Sequence, residues 1–64
     1  MKIEIFEGRK SLGPALLLED ALARYPQYRP KIDMVVSQYE ALNGRKPKQH
    51  TYHVGDGIYV TISV

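Results

Sequence analysis

Two histidines three apart, in "HTYH" at 50–53, are the side chains best suited to holding a metal or moving a proton. On a strand that spacing sends His50 and His53 to opposite faces, so the two do not share an ion. Neither has a cysteine or serine partner in a pattern that fits nucleophilic catalysis. The absence of cysteine excludes thiolate zinc sites and disulfide staples. "GDG" at 55–57 offers one carboxylate rather than the spaced oxygens of a calcium loop, and reads as a turn. Glu19-Asp20 reads as a solvated helix face, with Asp20 within reach of Arg24 at i+4. No acid–base pair is evident. The expectation is a protein that is not an enzyme and takes no metal or cofactor.

Charge and aromatic side chains carry the remaining signal. "NGRKPKQH", 43–50, packs three fixed positive charges and a histidine into eight residues. A second basic segment, "GRKS", holds Arg9 and Lys10. The whole chain, with nine basic and seven acidic residues, has a net charge of only +2. That excess is too small to imply nucleic-acid binding by itself, so the distribution of the charges is what matters. "ARYPQYRP", 24–30, interleaves Arg24, Tyr25, Tyr28 and Arg29; Tyr25 belongs to an apolar stripe, which leaves Tyr28 as the aromatic side chain to pack a helix junction or anchor a partner.

The elements that position these residues follow from periodicity. "KIEIFE", 2–7, alternates with Ile3 and Ile5 on one face and Lys2, Glu4 and Phe6 on the other, the pattern of a half-buried strand ended by Gly8. "SLGPALLLEDALARY", 11–25, predicts a helix capped by Ser11, with Pro14 in its first turn and Leu12, Ala15, Leu18, Leu22 and Tyr25 as its apolar stripe. After "PQYRP", Ile32, Val35, Val36, Tyr39 and Leu42 mark one face of a second helix, stopped by Asn43-Gly44. The remainder predicts a hairpin. A three-residue loop at Gly55-Asp56-Gly57 pairs Val54 with Ile58, Tyr52 with Val60 and His50 with Ile62, which puts apolar on apolar. The same register sets His53 opposite Tyr59 and Thr51 opposite Thr61 on the wet face.

The expected fold is therefore α+β, a single compact domain over 1–64. Its order is β-α-α-β-β, with two helices on one face of a small three-stranded, mostly antiparallel sheet. The strand 58–64, the most apolar, is expected at the centre, which argues for a monomer. With the first strand running up, the first helix down and the second up, "GRKS" and "NGRKPKQ" meet at one end. Arg9, Lys10, Arg45, Lys46 and Lys48 would then form one basic pole. No stretch is long and apolar enough for a bilayer span, and no secretion signal core is present, so a cytoplasmic location is expected.

Two functional classes fit these features. One is a stoichiometric protein binder whose basic pole steers it to a larger partner, with His53 and Tyr59, or Tyr28, as buried anchors. The other is a small nucleic-acid-binding module. The β-α-α-β order resembles the minimal core of KH domains, but "YPQYRP" stands where their G-x-x-G backbone clamp would lie.

From "MKIEIFEGRKSLGPALLLEDALARYP" to "GIYVTISV" the chain resembles the small anti-CRISPR proteins of phages and mobile elements, in particular inhibitors of type I-C systems. The resemblance lies in size and compact mixed architecture and carries no catalytic residue with it. It implies a partner in the bacterial host cytoplasm: a subunit of the Cascade surveillance complex, with target-DNA access or nuclease recruitment blocked by steric occlusion. Many such inhibitors are strongly acidic DNA mimics. This chain is slightly basic, so a contact to an acidic protein patch, or to a site where duplex DNA is read, is expected instead.

Overall fold

A computed structural model describes residues 1–64. Strand β1 (Lys2–Glu7) is followed by two short extended pieces, β2 (Lys10–Ser11) and β3 (Leu16–Leu17), and then by helix α1 (Leu18–Arg24). A 3-10 turn at Pro26–Tyr28 leads directly into helix α2 (Arg29–Glu40), and the chain ends in the hairpin β4 (Gln49–His53) and β5 (Ile58–Ser63). The five strands form one antiparallel sheet in the order β2-β1-β5-β4, with β3 also pairing on the β1 edge.

The α+β class and the two helices are as expected; the sheet has five strands rather than three. The stretch 10–17, expected as the start of the first helix, runs back along β1 instead. Ser11 lies opposite Phe6, the Leu12 amide donates to the Ile5 carbonyl at 2.9 Å, and Leu16 lies opposite Ile3. Pairing with the free edge of β1 satisfies backbone groups that a helix at 11–17 would have left open. Ser11 does not cap a helix. Its hydroxyl lies 2.7 Å from both Glu4 Oε2 and the Gly13 carbonyl, and it accepts from the Gly13 amide at 3.3 Å, a local turn of the kind that competes with helix.

This extra extended leg reverses the direction of everything after it. Helix α1 starts beside Lys2, at the N-terminal end of β1, and α2 returns towards that end. The hairpin then places β5 antiparallel to β1, with Lys2 opposite Ser63 and Glu7 opposite Ile58. The hairpin register is the expected one: His50 pairs with Ile62, Tyr52 with Val60, and the Val54 amide donates to the Ile58 carbonyl at 3.0 Å. Asp56 and both glycines of the loop take positive φ, between 55° and 90°.

One face of the sheet is covered and the other is not. Ile3 and Ile5 of β1 and Ile58, Val60 and Ile62 of β5 point inward against Ile32, Val35 and Tyr39 of α2 and Ala21 of α1. Ala21, outside the expected stripe, is the fully buried contact of α1, and its small side chain lets that helix lie close to the sheet. The core of 11 buried residues contains no charged side chain. No helix is long and apolar enough to cross a membrane.

Candidate functional site

Period-2 alternation fixes what faces outward. From β1 come Lys2, Glu4 and Phe6, from β5 Tyr59, Thr61 and Ser63, and from β4 Gln49, Thr51 and His53. Across the strands Phe6, Tyr59 and His53 fall in one row. The rings of His53 and Tyr59 stack with centroids 4.6 Å apart and planes 18° from parallel. In the next row the hydroxyls of Thr51 and Thr61 are hydrogen-bonded at 2.8 Å. Beside these rows lies a shallow depression of ≈ 670 Å³ bordered by Phe6, Arg9, Gln49, Thr51, Tyr59 and Thr61. Phe6, Tyr59 and Arg9, residue types enriched in protein interfaces, stand together on this uncovered face.

The expected basic pole does not form. Arg9 and Lys10 follow the C-terminal end of β1, where the Gly8 amide donates to the Gly57 carbonyl at 2.8 Å. Arg45, Lys46 and Lys48 precede β4, beside the far end of β5, where the Val64 amide donates to the Lys48 carbonyl at 3.0 Å. The two groups sit at opposite ends of β5, roughly 17 Å apart at about 3.4 Å per residue. The cause is the reversal described above: with β5 antiparallel to β1, the two connections leave from opposite ends of the sheet.

At the 45–48 end one of the three cations, Lys46, is tied down locally. Lys46 Nζ lies 2.6 Å from Glu40 Oε2 and 5.9 Å from the centre of the Tyr39 ring. The Tyr39 hydroxyl, on a buried ring, donates to the Pro47 carbonyl at 2.5 Å. This segment packs back on the C-terminal turn of α2, where cations are favourable for reasons of local structure. At the Arg9 end, Lys31 donates to the Val54 carbonyl at 2.9 Å and lies 3.7 Å from Asp56, which brings the N-terminal turn of α2 to the hairpin loop.

Tyr28 is partly buried in the turn between the helices, tilted against Tyr25 at 6.4 Å, and packs against the core rather than standing free. His50 is on the helix side of β4, edge-to-face with Tyr52 at 4.5 Å, and His53 is on the outer face, as the strand period requires. No three His, Asp or Glu side chains come together in a metal-sized cluster. Of the residues expected to bind a partner, Arg9, His53 and Tyr59 therefore share one surface, while Lys10, Arg45, Lys46, Lys48 and Tyr28 lie elsewhere. Phe6 belongs to the surface too; its outward direction was legible from alternation, but its place beside Tyr59 needed the direction of β5.

No protein-family model, curated protein or solved structure matches the chain.

Proposed function

We propose that the protein is a stoichiometric inhibitor that docks the outer face of its sheet on a larger protein and blocks that partner by occupying space. The partner implied by the sequence resemblance is a subunit of a type I-C Cascade surveillance complex, and the step blocked is target-DNA binding. The uncovered face itself, with Arg9 beside the Phe6–Tyr59–His53 row, carries this reading. Arg9 is the charge placed to meet an acidic side chain of the partner, and Tyr59 is the anchor that contact would desolvate. The cations at 45–48 contribute at most long-range steering.

The test is binding of the folded protein to purified type I-C Cascade, with and without target DNA. Arg9→Glu with Tyr59→Ala should weaken binding by about a hundredfold or more, as expected for loss of central anchors. Arg45→Glu with Lys46→Glu should change it by less than about tenfold. Retention of wild-type affinity by the first variant removes the outer face from the interface.

A second reading, a module for single-stranded nucleic acid, is favoured by the aromatic row, on which bases can stack. Only Arg9 and Lys2 supply cations to that face, and Glu4 opposes them. Two phosphate contacts would give a log–log salt slope of roughly −1.4. Gel shifts at two salt concentrations separate this from protein binding.

A further inference from the structure

We infer that β4 is a self-pairing edge, through which two copies of the chain join into one continuous sheet. The two edges of the sheet are unlike. On the β1 side the edge is broken into β2 and β3, with Gly13-Pro14 between them, a form that resists further pairing. On the other side β4 runs unbulged from Gln49 to His53 against β5, and its five residues include no proline, lysine or acidic side chain. Antiparallel ladders alternate, and the bonds of Val54 to Ile58 and of Val64 to Lys48 fix the phase. His50 and Tyr52 therefore bond to β5, whereas the amides and carbonyls of Gln49, Thr51 and His53 point to the open edge.

A second copy fits this edge better than an arbitrary strand because the edge complements itself. A two-fold axis through Thr51 sets Thr51 opposite Thr51 and Gln49 opposite His53 of the other copy. This register uses all three outward-facing residues of each strand. Registers shifted towards Pro47 or Gly55 lose bonds, since Pro47 has no amide hydrogen and Gly55 is left-handed at φ 90°. On the helix side the axis brings His50 and Tyr52, already 4.5 Å apart, against Tyr52 and His50 of the other copy. It also lays the Arg45–Lys48 segment alongside the loop that carries Asp56, with Lys31 beside that carboxylate, so the ends of the seam are polar and the paired backbone groups lie at its centre. The axis is perpendicular to the sheet, so both outer faces look the same way. The dimer would present two Arg9–Tyr59 surfaces side by side, whatever those surfaces bind. The expectation of a monomer rested on β5 being central, and it is; β4 is the strand left open.

The test is sedimentation equilibrium of the whole chain from micromolar to millimolar concentration, with two variants that differ only in charge pattern. Gln49→Lys with His53→Lys puts like charges opposite each other at two pairs and should weaken dimerisation by about tenfold or more. Gln49→Lys with His53→Glu puts opposite charges there and should restore or exceed wild-type dimerisation. Both variants alter exposed side chains, and circular dichroism checks that each is folded. A wild-type chain that stays monomeric at millimolar concentration overturns the inference. So does dimerisation that is equal in the two variants, because it would not run through this register.

Discussion

Gly13 shows how one missing atom positions a side chain. A Cβ built there would lie 2.7 Å from the Tyr25 hydroxyl, inside any tolerable contact. Tyr25 is buried and its ring has little room to retreat. Because the Gly13 backbone carries no left-handed φ, the cost of an alanine there is steric alone. Gly13→Ala should destabilise the fold by about 1–3 kcal/mol in urea denaturation. Adding Tyr25→Phe should return most of that loss, which a double-mutant cycle reads as coupling. Additive losses would mean that the clash is not the cause. Tyr39 makes a similar point about the basic segment, since its hydroxyl holds the Pro47 carbonyl and leaves Lys46 bonded to Glu40. Tyr39→Phe should cost about 1 kcal/mol and speed exchange of the Arg45 and Val64 amides, which bond to the Leu42 and Lys48 carbonyls; proton NMR can follow both.

At the scale of elements, the decisive segment is 10–17. Its sequence satisfies two patterns: the apolar spacing of Leu12, Ala15, Leu18 and Leu22 suits a helix, and its proximity to β1 suits an edge strand. Local periodicity does not choose between them, because the choice depends on whether β1 has another partner on that side. Where one interpretation dominates locally, the sequence was readable: the alternation of β1, the α2 face at Ile32, Val35 and Tyr39, and the apolar pairing across Gly55-Asp56-Gly57 all appear as expected. The outer row of His53 and Tyr59 followed from that hairpin register and survives. The convergence of Arg9 with Lys46 followed from strand direction, and it fails because one more reversal of the chain occurs before α1. Carbon chemical shifts should be extended for 10–12 and helical only from Leu18, with the Leu12 amide slow to exchange through its bond to Ile5. Helical shifts from residue 12 onward would restore the parallel arrangement and bring the five cations back together.

In the molecule as a whole, the two faces of one sheet differ in what covers them. A chain of 64 residues buries too little to be strongly stable, with roughly 3–10 kcal/mol expected at about 0.05–0.15 kcal/mol per residue. The inner face is committed to that sum, since Ile3, Ile5, Val60 and Ile62 are at most 1% exposed. The outer face holds half-buried rings and hydroxyls that contribute much less, which is what leaves it available for the docking proposed above. Neighbouring residues of β5 therefore differ sharply in what they do. Ile62→Ala removes a fully buried side chain and should cost about 2–5 kcal/mol, lowering Tm by roughly 10 °C or more. Thr61→Ala, one residue earlier, loses the hydroxyl bond to Thr51 and should cost less than about 1 kcal/mol. Thermal and urea unfolding of the two variants compares them directly. If Thr61→Ala proves as damaging as Ile62→Ala, the outer face is part of what holds the fold together. It would then no longer be a surface spare for recognition, and both the docking assignment of Arg9 and Tyr59 and the economy of a one-layer helix cover would have to be abandoned.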